Sequence, residues 1–354
     1  MLQSEIKTGF TALGKFLAQF SEVEPLKNDQ VLKNDLFFDD FQTLIKLSQS
    51  YNGWYTPENV LFAINSWANA LSEKNLDLWL SKYLFENNFR NPKSVAIILA
   101  GNIPLVGFHD FLSVLISGHN VLIKTSSNDQ KLLPFLTKYL IAISPSFENK
   151  IKFIDGKLEH YDAVIATGSN NTARYFEFYF KDKPSIIRKS RNSVAVLDGS
   201  ESKEQMIALG EDIFRYFGLG CRNVSKLFIP RNYNFDQFFN GMFPYQDVIK
   251  YEKYANNYDY NKAVFLMSNF ELLDNEFLTI KEDVSYCSPI ASVFYEYYDD
   301  LASLKSKLYT EKDQIQCIVS NDLIENSIAF GTTQKPHLWD YADNVDTIKF
   351  LSTI

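Results

Sequence analysis

With 354 residues, the chain has room for two to three domains at roughly 150 residues each. Hydrophobic residues at 46% and charged residues at 22% are globular proportions and exclude a disordered, collagenous or disulfide-stapled protein. A formal charge of −8 from 35 Lys+Arg and 43 Asp+Glu argues against nucleic acid and anionic membrane as partners, and the three cysteines, Cys221, Cys287 and Cys317, are too few and too dispersed for a disulfide framework or a tetrahedral zinc site.

The expectation is a cytoplasmic protein with no resident metal. The opening segment MLQSEIKTGFTALGKFLAQF carries acids and lysines among its apolar residues and reads as neither a signal peptide nor a membrane span. Through residues 1–90, apolar side chains recur at helical spacing: Phe10, Leu13, Leu17 and Phe20, then Ile64, Trp67 and Leu71, then Leu76, Leu80 and Tyr83. This predicts a helical N-terminal layer. The breaker Asn91-Pro92 leads into VAIILAG, a short β-branched run of the kind buried on both faces of a parallel sheet. A helix from about Gly107 to Ser117, the strand VLIK, the helix KLLPFLTKYLIAI, the strands IKFID and DAVIATG, the helix NTARYFEFYF and the strand SVAVLD follow. Strands alternating with helices over 91–200 predict a doubly wound α/β domain. Beyond it, KEQMIALGEDIFRYF reads as a helix, GLGC as a glycine turn, and KLFIP, ASVFYEYY and QIQCIVS as strands. A second α/β domain over 201–335 and a polar tail over 336–354 complete the expected organisation.

Four places in this frame could carry chemistry. Cys221, after Gly218-Leu219-Gly220, sits on a turn that lets the backbone approach a substrate closely; it is either a nucleophile or a small core residue. Cys287, in SYCSPI, and Cys317, in QIQCIVS, read as packing residues. Asn102, after the strand ending Ala100-Gly101, would face the ligand crevice of an open α/β sheet and donate to an oxyanion, or else cap the next helix. Gly168-Ser169, at a strand-to-helix turn, suits a phosphate or is an ordinary tight turn. Lys124, closing VLIK before Thr125-Ser126-Ser127, is a cofactor-site cation or a solvated strand end. His109 reads as structural, paired with Asp110 or a backbone carbonyl; His337 is given no role.

The order of these features, with the longer segments GNIPLVGFHDFLSVLISGHNVLIKTSSND, FGLGCRNVSKLFIP and FGTTQKPHLWDYADNVDTIKFL, resembles the aldehyde dehydrogenase superfamily and, within it, the fatty acyl-CoA reductases of bacterial luminescence systems. The similarity runs from about residue 92 onward, and the N-terminal region is shorter than is usual in that family. The resemblance implies an aldehyde dehydrogenase-like α/β fold with a dinucleotide-binding domain and a catalytic domain. It makes Cys221 the acylated nucleophile and Asn102 the oxyanion donor, and assigns Lys124, Ser126, Ser127, Gly168 and Ser169 to the cofactor site. The implied substrate is a long-chain fatty acyl-CoA; a homo-oligomer and acyl-donor protein partners are compatible with the family.

Three departures from the superfamily bear on mechanism. Where hydrolytic members carry a glutamate that activates water, the matching stretch IIRKSRNS contains no acid between Ile187 and Ser193, which favours a reductase over a dehydrogenase or thioesterase. Where the superfamily lysine motif carries an acid that binds ribose, this chain has Ser127, which favours NADPH over NADH. A third change, SYCSPI with Ser285 in place of an acid that helps hold the nicotinamide ribose, keeps open an acyl-accepting subunit that does not reduce. A reductase of an acyl phosphate or of an acylated carrier protein would use the same residues.

Overall fold

The computed structural model describes residues 2–21, 25–83 and 91–354. The chain divides into two compact units, Met1–Lys189 with His337–Ile354, and Ser190–Pro336.

In the first unit, the helices α1 (Gln3–Ala18), α2 (Asn34–Tyr51), α3 (Pro57–Ala70) and α4 (Glu73–Leu80) form the expected helical layer. Thr56 starts α3 by accepting the Asn59 N–H, with Pro57 at the first helical position, where a missing N–H costs nothing. Phe10, Leu13, Leu17 and Phe20 are all fully buried. Phe10 meets Phe108, Phe111 and Phe147 edge to face, so the layer is anchored on elements that cover the sheet. The end of this layer, read from the sequence as reaching residue 90, lies partly outside the described residues.

That sheet consists of β1 (Ser94–Ile98), β2 (Asn120–Lys124), β3 (Ile151–Phe153), β4 (Ala163–Thr167) and β5 (Ser185–Arg188), in the order β3-β2-β1-β4-β5 and parallel throughout. Val95, Ala96 and Ile97 are fully buried, as a strand covered on both faces requires. Ile98 lies opposite both Lys124 and Ala166, so the carboxyl ends of β1, β2 and β4 finish level. The chain's progress across the sheet reverses at β1, and the carboxyl edge beside such a switch point is where open α/β sheets bind ligands. β5 falls in a stretch where the sequence pattern predicts no strand. Its Arg188 forms a buried ion pair with Asp110 and donates to Thr347 Oγ1 at 3.2 Å.

The last residues, expected as a polar tail, belong to this first unit. Leu338, Thr347, Ile348 and Leu351 are buried, and a short helix, Thr347–Ser352, is capped by Asp346.

The second unit holds a six-stranded sheet of β6 (Asn192–Val196), β7 (Val224–Pro230), β8 (Leu272–Asp274), β9 (Thr279–Glu282), β10 (Ser292–Tyr298) and β11 (Ile315–Val319), in the order β11-β6-β7-β10-β9-β8. Only β8 runs antiparallel to its neighbour. SVAVLD, grouped by sequence with the first domain, is therefore the β6 strand of the second sheet, hydrogen-bonded to β7 and β11. Helices Lys203–Phe214, Phe235–Met242, Glu252–Met267 and Leu301–Thr310 complete this unit. Among the described residues no helix is long and apolar enough to cross a membrane, and no group of three or more His, Cys, Asp or Glu is placed to hold a metal ion.

Candidate active site

Within the first unit, three loops leave the carboxyl edge of the parallel sheet, and each carries residues singled out by sequence. The loop after β1 holds Asn102, which is exposed. The next helix, Phe108–Ile116, starts from Gly107 with no side-chain cap, so the capping role considered for Asn102 is not the one it has. A Cβ at Gly101 would lie 2.7 Å from both Cβ and Oγ of Ser126. Glycine therefore lets the Asn102 loop rest directly on the loop after β2.

A residue that sequence reasoning missed braces this loop. Tyr55, almost fully buried, directs its hydroxyl at the carbonyls on either side of Asn102, those of Ile103 at 3.0 Å and Gly101 at 3.3 Å. Beside it, Asp129 accepts the Leu105 N–H at 3.4 Å. Burial pushes the Asp129 carboxyl above its ordinary range, against backbone N–H groups of Leu105, Leu132 and Lys131 that favour the anion. Tyr55 sits in the turn NGWYTPEN, where no periodicity distinguishes it.

In the loop after β2, the Lys124 ammonium donates to the Gly156 carbonyl at 3.0 Å. Ser126 Oγ accepts the Asn128 N–H at 3.2 Å, while Ser127 is exposed. After β4, a Cβ at Gly168 would lie 2.9 Å from Cβ and Cγ2 of Thr172, so only glycine fits against the first helical turn. Ser169 caps that helix, Asn170–Tyr179, its Oγ accepting the Thr172 N–H at 3.3 Å. The Ser169 hydroxyl is thus committed to the helix, and the features suited to a phosphate are the helix N-terminus and its backbone N–H groups. The fold brings Asn102, Lys124, Ser126, Ser127, Gly168 and Ser169 to one edge of one sheet.

The stretch IIRKSRNS was expected to lack a base. Its cations are all engaged: Arg188 with Asp110, Lys189 with Glu177 at 2.7 Å, and Arg191 with the carbonyls of Lys312 and Ile315 at 3.4 Å. Asp110 is buried and held by the Arg188 guanidinium. His109 is structural, as expected: its Nε2 donates to the Leu338 carbonyl at 2.8 Å, and its ring is surrounded by Trp67, Trp79 and Tyr341. Burial lowers its pKa, against the Asp110 carboxylate and the Leu338 carbonyl that favour the charged form. His337 is exposed and stacks on Trp339.

The second unit carries Cys221, and its side chain is exposed. That removes the reading of a small core residue. Gly220–Asn223 is a turn closed by the Asn223 N–H on the Gly220 carbonyl at 3.0 Å, with Cys221 and Arg222 at its centre. The turn is pinned on several sides. Ser193 Oγ donates to the Cys221 carbonyl at 3.0 Å and lies 2.9 Å from Cys317 Sγ. Arg222 Nε donates to the Thr333 carbonyl at 2.7 Å, which ties the turn to the closing FGTTQKP motif. Asp212 in turn accepts the N–H groups of Gly331 at 2.7 Å and Thr333 at 3.0 Å. Burial pushes its carboxyl up to about 6, partly offset by those two N–H groups. The turn was legible in the sequence, but nothing there signalled Ser193 or Asp212 beneath it.

Cys287 corrects another expectation, because it is exposed and does not pack in the core. Its neighbours hold the SYCSPI segment: the Tyr286 carbonyl accepts Ser225 Oγ at 2.8 Å, and the Ser285 N–H donates to Asp283 at 2.8 Å.

A family model described as acyl-CoA reductase (LuxC) matches residues 43–236, more than half of the chain. Among curated protein sequences there is no significant match. Solved structures similar to this one include aldehyde dehydrogenase 21 from Physcomitrella patens, in complex with its reaction product succinate. It is 13% identical, with 100% of this chain and 84% of that chain covered and a TM-score of 0.67. The indole-3-acetaldehyde dehydrogenase AldA of P. syringae, in complex with NAD+ and IAA, is 13% identical over 90% of this chain and 72% of that chain, with a TM-score of 0.62. An aldehyde dehydrogenase from Mycobacterium tuberculosis complexed with NAD+ is 13% identical, covers 90% of this chain and 73% of that chain, and has a TM-score of 0.58. At this identity the likeness is one of fold, and the fold is that of the aldehyde dehydrogenases.

Proposed function

The chain belongs to the acyl-CoA reductase (LuxC) family, and from that premise we propose that it reduces a long-chain fatty acyl-CoA to the fatty aldehyde with NADPH, by way of an acyl thioester on Cys221. The observation that carries this reading is an exposed thiol at the centre of a turn whose carbonyl and flanking residues are clamped from several directions. A nucleophile gains from such rigidity because a reacting group held in place avoids the entropy of finding its geometry.

The Cys221 thiolate attacks the thioester carbonyl, a new C–S bond forms, and the bond to the CoA sulfur breaks as CoA leaves as a thiolate that takes a proton. Asn102 donates its side-chain N–H to the oxyanion of the tetrahedral intermediate, together with the Cys221 backbone N–H. No acid stands between Ile187 and Ser193, the stretch that carries the water-activating glutamate in hydrolytic members, so water attack on the acyl-cysteine lacks that base.

The first unit fits a nicotinamide dinucleotide: a glycine-tight turn opens a helix N-terminus, and hydroxyls and a lysine share the same sheet edge. Similar folds that bind NAD+ support this placement. The residues that would hold the cofactor are Lys124, Ser126, Ser127 and the Gly168-Ser169 turn. When bound, NADPH supplies the hydride that the acyl-cysteine needs to become aldehyde. Ser285, where the superfamily has an acid, favours a second reading in which Cys221 accepts an acyl group without reducing it.

Consumption of NADPH on addition of a fatty acyl-CoA separates the two readings, since an acyl acceptor consumes none. On our account NADPH binds more tightly than NADH. Ser127→Glu selectively weakens NADPH by about ten-fold, because a carboxylate a few ångströms from a 2′-phosphate costs on the order of 1 kcal/mol or more. Calorimetric titration of both cofactors measures this, and equal affinities in the natural protein would remove the basis for assigning NADPH.

A further inference from the structure

The helix before the nucleophile ends abruptly. After Phe214 the chain turns at Arg215 and passes through Tyr216 at φ 54° and Phe217 at φ 58°, then Gly218 at φ 76°. Two bulky residues in succession in the left-handed region are costly, on the order of 1 kcal/mol or more each. Something must hold them, because helix-end carbonyls and an unfavourable backbone would otherwise relax together.

Asn223 is that element. It is buried, at 2% exposure. Its Nδ2 donates to the carbonyls of Arg215 at 2.8 Å and Asp212 at 3.0 Å, with a weaker contact to Ile213 at 3.4 Å. Both amide hydrogens are thereby used. Its Oδ1 accepts the Gly220 N–H at 2.8 Å, while its own N–H closes the turn on the Gly220 carbonyl at 3.0 Å. One side chain therefore grips the helix end on one side and the residue before Cys221 on the other. The fit at Gly220 is close, since a Cβ there would come within 2.9 Å of Asn223 Oδ1.

We propose that Asn223 is the positioning residue for the nucleophile: it locks the left-handed segment and the Cys221 turn into one rigid unit, and so sets the reactivity of the thiol without touching the substrate. The proposal rests on Cys221 being the reactive cysteine. The charged side chains on the segments that Asn223 joins include Asp212, which accepts the Thr333 N–H, Arg215, held by Glu211, and Arg222, on the Thr333 carbonyl.

Asn223→Ala lowers the rate of Cys221 acylation by about ten- to a hundred-fold, the scale on which a misplaced reacting group loses rate, and leaves NADPH affinity unchanged. Asn223→Asp is more informative. As an anion it faces carbonyl oxygens and cannot donate, whereas its protonated form recovers one donor. Its deficit therefore shrinks as pH falls, and that of Asn223→Ala does not. Asp212 titrates in both variants, so the alanine variant controls for it.

The measurement is the rate of Cys221 modification by acyl-CoA and by iodoacetamide, mapped by mass across pH, on variants verified as folded by circular dichroism. Iodoacetamide needs no acyl site. If it depends on Asn223 while acyl-CoA does not react even with the natural protein, the positioning role stands and the substrate assignment fails. If the natural protein is acylated and both variants react at its rate at every pH, the positioning role is wrong.

Discussion

Cys221→Ala acquires no acyl mass from a fatty acyl-CoA, whereas Cys287→Ala and Cys317→Ala are labelled like the natural protein. Intact-mass measurement after incubation with a series of acyl-CoAs is the check. Exposure alone does not choose among the cysteines, because Cys287 is exposed as well. Cys221 differs in its setting: the turn that carries it is tied through Ser193 to β6, through Arg222 to the closing motif and through Asn223 to a helix end. Cys317 serves that setting, since its sulfur meets the hydroxyl that holds the Cys221 carbonyl. Removing the Cys317 sulfur leaves the nucleophile in place and costs at most a modest rate. Acyl mass on the Cys221→Ala protein would move the nucleophile elsewhere.

Asn102→Ala slows acylation of Cys221 by about a hundred-fold or more, the usual consequence of deleting one oxyanion donor. Asn102 does not cap the following helix, so its loss does not fray that helix, and Tyr55 continues to hold the loop through the carbonyls of Gly101 and Ile103. Thermal stability and cofactor affinity should therefore stay near those of the natural protein while the acylation rate falls. Single-turnover acylation kinetics decide the matter. An unchanged acylation rate with weakened cofactor binding would make Asn102 a cofactor contact.

Much of the fold is legible in the sequence because it lies in short-range patterns. Helical spacing identifies Phe10, Leu13, Leu17 and Phe20 as core, and all four are fully buried. The β-branched runs at VAIILAG and VLIK are strands, and their carboxyl ends carry the candidate residues. What escapes is set by contacts distant in sequence. β5 is four residues long and ends in Arg188, whose charge reads as surface until Asp110 is brought beside it. β6 reads like a strand of the first sheet because local pattern says nothing about which neighbour it pairs with; its hydrogen bonds go to β7 and β11. The closing residues look polar because their buried members, Leu338, Thr347, Ile348 and Leu351, are spaced through charged ones. Tyr55 and Asn223 act through single side chains from outside any periodic pattern. Asn223 stands in the FGLGCRNVSKLFIP motif, yet only the geometry of the helix end shows what its amide satisfies.

An acyl group on Cys221 is expected to wait for a reductant, because the stretch that carries the water-activating glutamate in hydrolytic members holds no acid here. General base catalysis typically contributes about a hundred- to ten-thousand-fold, and the stretch from Ile187 to Ser193 offers only Arg188, Lys189 and Arg191, each engaged elsewhere. The most direct test is a time course of the acylated mass after mixing with acyl-CoA, with products analysed in parallel. On this account the acyl-Cys221 species persists for minutes or longer without NADPH and is discharged to aldehyde when NADPH is added. Rapid release of free fatty acid in the absence of cofactor would contradict it.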